Sequence, residues 1–276
     1  MKWILIFAGL AIFCNVSAKP SAYKILSYNI RYDNPDDSAN NWQFRKEELA
    51  ARVLKLHPDI IGIQEALLSQ TIYLKTKWSG YACYAVGRED GKEKGEMIPV
   101  FYDTTLFTCA GSNTYWLSET PLAPSKGWDA ACERVVSILV LIEKSTGEKI
   151  YVFNTHWDHV GAVARQKSSD WISTLLDPLI IEKARIIFMG DLNAKPEELP
   201  VLTLSFKIQD TCPVRRRKKE TFNGFGRKGT IRSHIDYVFV SEANLQHSTY
   251  KILHWKTKNG RWLSDHHPVF VTVSWK

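Results

Sequence analysis

The stretch Ile186-Ile187-Phe188-Met189-Gly190-Asp191-Leu192-Asn193 places four consecutive apolar residues directly ahead of a glycine, a carboxylate and a carboxamide. A short apolar run bounded by glycine is typical of a strand buried on both faces, although periodicity alone does not distinguish it from buried helix. Side chains two positions apart on a strand share a face, so Asp191 and Asn193 can approach one ligand. Both residue types also cap turns, and the stretch by itself leaves site and turn equally open.

Polar residues follow apolar runs at several other places along the chain: Asn29, Glu65, Asn154, His156, Asp236, Asp265 and His266. A single acid after a strand is usually a cap. Repetition of the pattern indicates that these strand ends meet in one cleft. Because an unpaired buried charge is costly, such a cluster requires a metal ion or internal partners.

The remaining patterns predict many strands and a few helices. Helical spacing covers Trp42 to Leu56, Gln70 to Trp78 and Ala162 to Ile181. Strands are predicted at Tyr23–Ile30, Ile60–Glu65, Tyr81–Val86, Val100–Tyr102, Leu106–Tyr115, Val135–Ile142, Ile150–Asn154, Ile235–Val240, Tyr250–His254 and Val269–Val273. This composition favours layered sheets with helices packed outside, and the chain has neither repeats nor a linker that would divide it.

The amino-terminal residues have the three parts of a secretory signal peptide. Met1-Lys2 precedes the apolar run Trp3 to Phe13, and Val16-Ser17-Ala18 supplies small residues at a cleavage site. We therefore expect cleavage after Ala18, a single domain over 19–276, and a secreted or periplasmic protein. No later run approaches the roughly twenty apolar residues of a membrane helix, so stable membrane insertion is not expected.

The net charge limits the class of binding partner, and the cysteine content limits the possible disulfides, but neither identifies a partner or a pairing. The net charge of +7 suits a phosphate-bearing partner but is modest for a dedicated nucleic-acid binder. The basic run Arg215 to Lys219 has no interleaved aromatic residues, which favours a solvated loop over a phosphate-backbone patch. Four cysteines follow the leader, with disulfides and free thiols equally open: Cys83, Cys109, Cys132 and Cys212.

The acids and amides offer hard oxygen ligands for a metal ion. Glu65, with Asn29 and Asp265 as neighbours, suits Mg²⁺ or Mn²⁺. His156 and His266 raise zinc as an alternative, but neither an HExxH motif nor a cysteine pair supports it. Magnesium is the preferred prediction.

Six short motifs resemble, in the same order, those of the endonuclease/exonuclease/phosphatase superfamily (DNase I-like): Ser27 to Arg31, Gln64-Glu65, Asn154 to His156, Gly190 to Asn193, His234 to Tyr237 and Ser264 to Val269. Each motif is weak alone, but the ordered set is specific and spans nearly all of 19–276. The resemblance implies a four-layered α/β sandwich with two mixed β-sheets face to face and helices outside. It also implies metal-dependent phosphoester hydrolysis at the sheet ends.

Within the superfamily, the chain is similar to secreted bacterial members. The segments that carry this similarity are Trp116 to Pro121, Gly127 to Ala130 and Asn154 to His159. This subgroup implies no particular substrate.

The resemblance assigns roles position by position, with Asn29, Glu65 and Asp265 as metal ligands. Asp191 would orient and deprotonate a water, and Asn193 would donate hydrogen bonds to the transition state. His156 and His266 would stabilise the charged phosphoryl group, and Asp236 would hold His266 in the required tautomer.

A further set is predicted to contact the substrate: Glu96, Trp116, Glu119, His159 and Arg165. Each has a structural alternative. Arg165 is as readily placed on a helix surface, His159 as readily supports a neighbour, and a tryptophan near a strand end is usually core.

The leading functional hypothesis is a secreted, Mg²⁺-dependent phosphodiesterase or phosphatase that acts as a monomer. Its substrate is left open among nucleic acid, a phospholipid or sphingomyelin-like headgroup, and a small sugar or inositol phosphate. A catalytically inactive binding protein is disfavoured, because every motif position carries a chemically competent residue. A zinc hydrolase is the third alternative.

Overall fold

A computed structural model describes residues 22–243 and 245–275 of the chain, so the predicted signal peptide lies outside the described residues. The first sheet contains β1 (Ala22–Asn29), β2 (Ile60–Gln64), β3 (Tyr81–Tyr84), β4 (Val100–Asp103), β11 (Leu245–Ile252) and β12 (Val269–Trp275). The second contains β5 (Phe107–Trp116), β6 (Val135–Glu143), β7 (Lys149–His156), β8 (Arg185–Asp191), β9 (Gln209–Asp210) and β10 (Asp236–Val240). The α-helices are α1 (Lys46–Leu56), α2 (Leu68–Lys77), α3 (Ala162–Ile181) and α4 (Leu199–Ser205).

Both sheets are mixed and have six strands. Their orders are β11-β12-β1-β2-β4-β3 and β5-β6-β7-β8-β10-β9. Each has one parallel pair, β1 with β2 and β7 with β8, and the other pairings are antiparallel. The carboxyl ends of a parallel pair lie side by side, so the polar residues that follow these strands come to one edge of each sheet.

Three apolar clusters fill the spaces between four layers. The central cluster lies between the sheets, the second lies under α1 and α2, and the third lies under α3 and α4. Strand β8 shows why the apolar run is continuous: Ile187 and Met189 enter the central cluster, while Ile186 and Phe188 pack in the third. This confirms the predicted four-layered sandwich of two mixed sheets flanked by helices.

Two glycines permit close packing that a larger residue would block. A Cβ on Gly62 of β2 would lie 2.7 Å from the Met189 sulfur of β8, in the facing sheet. A Cβ on Gly190 would lie 2.1 Å from the carbonyl oxygen of Thr155 in β7. The glycine ahead of Asp191 is therefore required by the approach of the neighbouring strand.

The element boundaries depart from prediction mainly where a tertiary contact intervenes. The helix predicted over 42–56 is a 3₁₀ turn (Trp42–Phe44) followed by α1, with Arg45 at the break. The Arg45 side chain is buried and donates to the carbonyl oxygens of Ile30 and Leu263, among others. Helix α4 and strand β9 were not predicted, and β11 begins five residues before the predicted strand.

Two further expectations concern cysteines and membranes. Cys83, Cys109, Cys132 and Cys212 are all free thiols, so the alternative without disulfides holds for the described cysteines. Within the described ranges, no helix combines the length and apolarity needed to cross a membrane.

Candidate active site

The strand ends open into one cleft of about 600 Å³. Three residues at the floor of the cleft lie side by side, because the strand register pairs His156 of β7 with Asp191 of β8, and Asp191 with Asp236 of β10. The predicted site residues that line the cleft are Glu65, Glu96, His156, His159, Asp191, Asn193, Asp265 and His266. Asn29 and Asp236 lie directly behind them, hydrogen bonded to Asp191 and His266.

Asp191 stands at the centre of the cluster and is only 1% exposed. Its Oδ2 accepts a hydrogen bond from Asn29 Nδ2 at 3.0 Å and lies 3.6 Å from Nε2 of both His156 and His266. Its Oδ1 accepts from the backbone N–H of Asn193 at 3.0 Å, in a turn where Asn193 has a φ of +46°. One oxygen of Asp191 therefore caps the turn and the other faces the cleft, so the turn is observed and the role of Asp191 in a functional site stays a prediction.

The surroundings of Asp191 shift its proton equilibrium. Burial, and then the nearby Asp236 carboxylate, raise the pKa of Asp191 to about 7, although the His266 charge opposes them. A carboxyl group with a pKa near neutrality is able to take up a proton at physiological pH.

The two histidines flanking Asp191 differ in protonation. His266 Nδ1 donates to Asp236 Oδ2 at 2.9 Å. Burial acts to lower the pKa of His266, but the Asp236 and Asp191 carboxylates outweigh it and raise that pKa well above its usual value. Burial and then the Arg134 charge hold the pKa of His156 well below its usual value, and its Nε2 accepts from Asn193 Nδ2 at 3.1 Å. Asp191 therefore lies between an imidazolium and a neutral imidazole.

Of the predicted metal residues, Glu65 accepts a hydrogen bond from Asn29 and shares the Arg31 guanidinium with Asp265. Among the described residues of the cleft, the ligand atoms that all fall within 4.8 Å of one another belong to Glu65 and to Asp191 and His266, two residues predicted to be catalytic. Burial, and among the nearby charges the Glu65 carboxylate, raise the pKa of Asp265. Crowded, partly desolvated carboxylates of this kind fit a hard divalent cation, whose charge would relieve their repulsion.

Asn29 contacts this group through its amide nitrogen. Its Nδ2 donates to Glu65 Oε1 at 2.9 Å and to Asp191, while its Oδ1 accepts from the backbone N–H of Arg31. In this orientation Asn29 positions two carboxylates, and direct metal ligation by its oxygen stays a prediction.

Arg31 is a cleft residue to which the sequence assigned no role. Its Nε lies 2.9 Å from Asp37 Oδ2 and 3.9 Å from Asp265 Oδ2, and its Nη1 lies 3.9 Å from Glu65 Oε2. Burial works against its charge, but the Asp37 hydrogen bond and the other two carboxylates raise the pKa of Arg31 above its usual value. Its position within the first motif was the signal available.

The wall beyond His156 also contains arginines that were not predicted. Arg88 Nη1 donates to Glu96 Oε2 at 2.8 Å, and that carboxylate lies 3.7 Å from His156 Nδ1. Arg134 is 4% exposed and donates through Nη2 to His159 Nδ1 at 2.8 Å. Arg134 precedes strand β6, and Arg88 follows the predicted strand Tyr81–Val86 by two positions, but the strand-end pattern selected Asn, Asp, Glu and His and not arginine.

Three residues predicted to contact substrate do not line the cleft. Arg165 donates to the backbone oxygen of Asp158, and Trp116 is buried with its Nε1 donating to the Arg88 carbonyl at 2.6 Å. Glu119 is exposed and accepts from the backbone N–H of Trp128 at 3.3 Å. The buried position of Trp116 matches its structural alternative, whereas Arg165 is half-buried against the Asp158 backbone and not on an open helix surface.

Asn154 likewise serves the fold and not the cleft. Its Nδ2 donates to the carbonyl oxygens of Ile63 and Pro99, and its Oδ1 accepts from Gln64 Nε2 at 2.7 Å. The side chain therefore joins β7 of one sheet to β2 of the other. Its place after an apolar run made it resemble a cleft residue.

Comparison with known proteins adds three findings. A model of the Endonuclease/Exonuclease/phosphatase family matches residues 26–266. A family protein of known structure from Bacteroides thetaiotaomicron is 32% identical, with a TM-score of 0.84 over 94% of this chain and 99% of that one. A mannosyl-6-phosphatase from the same organism is 33% identical, with a TM-score of 0.82 over 92% of this chain and 100% of that one.

Proposed function

The chain belongs to the endonuclease/exonuclease/phosphatase family, and from this membership we propose that it is a metal-dependent hydrolase of phosphoesters in which Asp191 activates the attacking water. The observation that carries the proposal is the position of Asp191. It is a buried carboxylate with a pKa of about 7, set between a protonated and a neutral histidine.

Asp191 would act as the general base. Its Oδ2 faces the cleft, and its Oδ1 is fixed by the Asn193 turn, so the orientation of the carboxylate is set before a substrate binds. Beside a divalent cation, the raised pKa of Asp191 would fall, which favours the deprotonated form that accepts the proton of water.

The flanking residues would stabilise charge on the phosphoryl group. His266, kept protonated by Asp236, carries a positive charge at the floor of the cleft. Asn193 Nδ2 lies on the same floor and donates to His156 Nε2 and to the Trp157 carbonyl oxygen, so it would donate to a phosphoryl oxygen by exchanging one of these bonds. A preorganised charge such as that of His266 stabilises a transition state without reorganising during the reaction.

Glu65 and Asp265, with Asn29 beside them, would hold Mg²⁺ or Mn²⁺, and Asp191 and His266, whose ligand atoms lie within 4.8 Å of that of Glu65, would border the same site. The bound ion would supply charge neutralisation for the phosphoryl oxygens. Arg31, paired with Asp37, keeps this acidic group from carrying an excess of negative charge.

For the substrate and the cellular location, we propose only a class of each. The similarity to a mannosyl-6-phosphatase favours a small phosphorylated metabolite over nucleic acid or a phospholipid headgroup. The signal-peptide pattern supports export of a single domain over 19–276, with the protein acting as a monomer.

The test is an assay of the protein against DNA, RNA, sphingomyelin, inositol phosphates and sugar phosphates, with Mg²⁺ and with chelator. We expect Mg²⁺-dependent hydrolysis, and we expect Asp191→Ala to lower kcat by about 10³-fold. Asp177→Asn, a matched change of an aspartate on the outside of α3 that pairs with Lys207, should leave kcat unchanged. Metal-independent hydrolysis, no hydrolysis of any substrate, or wild-type turnover by Asp191→Ala would overturn the proposal.

A further inference from the structure

One wall of the cleft has no part in the proposed chemistry. Arg88, Glu96, Arg134 and His159, named here the polar wall, line the cleft beyond His156. The wall adjoins the proposed reacting centre at His156, whose Nδ1 lies 3.7 Å from Glu96 Oε2.

Each arginine of the polar wall already has a carboxylate partner. Arg88 pairs with Glu96 at 2.8 Å, and Arg134 pairs with the buried Asp158 at 3.2 Å. The wall is therefore close to neutral. A surface that binds the backbone of a nucleic acid uses cations that are free to neutralise phosphates, so this pairing favours a neutral polar ligand.

The hydrogen bonds within the wall determine what it presents to the cleft. A guanidinium only donates, so His159 Nδ1 must accept from Arg134, and the imidazole proton lies on Nε2. Burial and then Arg134 lower the pKa of His159, consistent with this neutral form. His159 thus offers a donor, the Glu96 carboxylate offers acceptors, and Arg88 offers further donors. Alternating donors and acceptors match hydroxyl groups, each of which donates and accepts.

Hydrogen bonds outside the cleft fix the polar wall in place. Asp90 Oδ1 accepts from the backbone N–H groups of Lys92, Glu93 and Lys94 at 2.8–2.9 Å, which closes the loop that connects Arg88 to Glu96. The buried Trp116 donates to the Arg88 carbonyl oxygen at 2.6 Å. Groups fixed before binding lose little conformational entropy when a ligand arrives.

The cleft offers few aromatic surfaces on which a nucleobase could stack. In the described part of the chain, the cleft has two aromatic rings besides histidine, Tyr32 and Phe222. The Arg31 guanidinium lies 4.5 Å from the Tyr32 ring centroid, and the His266 ring lies 4.9 Å from that of Phe222. Base recognition relies on open aromatic faces, so this cleft is better suited to a ligand without a base.

We propose that the polar wall binds the hydroxyl groups of a small polyhydroxylated phosphomonoester, such as a hexose phosphate, and thereby sets the substrate class. This inference rests on the proposed function for the position of the phosphate. Glu96, Arg88 and His159 are the specificity-determining residues, and Arg134 positions His159. A cleft of about 600 Å³ is in the range of small-molecule sites and accommodates a monosaccharide phosphate.

The experiment measures equilibrium binding by calorimetry to the Asp191→Asn protein with Mg²⁺, so that turnover does not interfere. The ligands are a hexose 6-phosphate, cyclohexylmethyl phosphate as its match without hydroxyls, and a short oligonucleotide. We expect the hexose phosphate to bind at least about tenfold more tightly than the match, since one or two hydrogen bonds supply that factor. Glu96→Gln or His159→Ala, added to this background, should bring the ratio towards one, and Glu93→Gln, on the exposed side of the same loop, should preserve it.

Equal affinity for the two phosphomonoesters, or tighter binding of the oligonucleotide, would overturn the inference. So would a ratio that Glu96→Gln and His159→Ala both leave unchanged. The comparison of ligands needs no wall variant and so stands if one fails to fold. Selective binding of the hexose phosphate without turnover by the wild-type protein would support the polar wall while overturning the proposed hydrolysis.

Discussion

Asp158 and Asp191 are two buried aspartates at the carboxyl ends of neighbouring parallel strands, and their surroundings are opposite. Each is 1% exposed. Asp158 accepts hydrogen bonds from the backbone N–H groups of Ala131, Val160 and Gly161 and pairs with Arg134. Asp191 accepts one backbone N–H and one amide, and its neighbours include a second carboxylate.

The pKa values follow this difference. Burial acts to raise the pKa of Asp158, but the hydrogen bonds from Gly161, Val160 and Ala131 outweigh it and hold that pKa well below its usual value. Burial prevails at Asp191 and raises its pKa to about 7. Burial alone therefore does not identify a reactive carboxylate. The number of donors decides whether a buried charge stabilises the fold or remains available for chemistry.

The largest effect should come from removing the charge of the well-satisfied aspartate. Asp158→Asn leaves Arg134 buried without its carboxylate partner and replaces an acceptor oxygen with an NH₂ donor that faces N–H groups, so we expect a loss of about 3–5 kcal/mol in the free energy of unfolding. Urea denaturation followed by tryptophan fluorescence measures it. Asp177→Asn, at an exposed position, is the control and should change stability little. Equal stability of the Asp158→Asn and control proteins would remove the contrast between the two aspartates.

A second effect is the pH dependence of that loss. A carboxyl group whose pKa is lowered on folding contributes stability above its unfolded pKa of about 4, and this contribution disappears as the pH falls through the folded pKa. The gap between wild type and Asp158→Asn should therefore be full at neutral pH and shrink by about 2 kcal/mol as the pH falls well below 4. Urea midpoints of both proteins across that range provide the measurement. A gap that does not vary with pH would show that the charge of Asp158 is not what stabilises the fold.

A third effect should have the opposite sign. The raised pKa of Asp191 means that its ionised form is disfavoured by folding, so stability should fall as the pH rises from about 4 through about 7. In chelator at pH 8 the rise of this pKa from about 4 to about 7 corresponds to about 4 kcal/mol, and the lost hydrogen bond from Asn29 offsets part of it, so Asp191→Asn should be more stable than wild type by about 1–3 kcal/mol, with the advantage vanishing as the pH falls towards 4. Thermal melts in chelator measure this. If the substitution lowers stability at pH 8, the charge of Asp191 stabilises the fold, as that of Asp158 does.

Local patterns predicted much of the fold because they report burial directly. The continuous apolar run of β8 reflects its two buried faces, and α3 has the predicted bounds, Ala162–Ile181. The break at Arg45 escaped prediction because its cause is a set of carbonyl oxygens from distant segments, including Leu263. Helical spacing does not record such contacts.

The site was predicted to the extent that its residues follow strands. Asp191, His156 and His266 meet in the cleft as expected, because strand order brings their ends to one edge. Arg134 was missed because it precedes its strand, and Arg88 was missed because the strand-end pattern did not include arginine, although Arg88 follows the predicted strand Tyr81–Val86. Trp116 and Glu119 were placed in the pocket by their motif, but the fold turns Trp116 beneath the polar wall.

The sequence by itself determined the alternation of strands and helices, the order of the motifs, and the acids and histidines available at the strand ends. Only the tertiary structure decided which of those groups are charged. Asp158 and Asp191 look alike in the sequence, since both follow apolar strands. The N–H of Ala131 and the guanidinium of Arg134, which stabilise the charge of one, and the Asp236 carboxylate, which repels the charge of the other, come from distant parts of the chain. Electrostatic energies depend on distances in space and on desolvation, and both are set when the sheets and loops pack together.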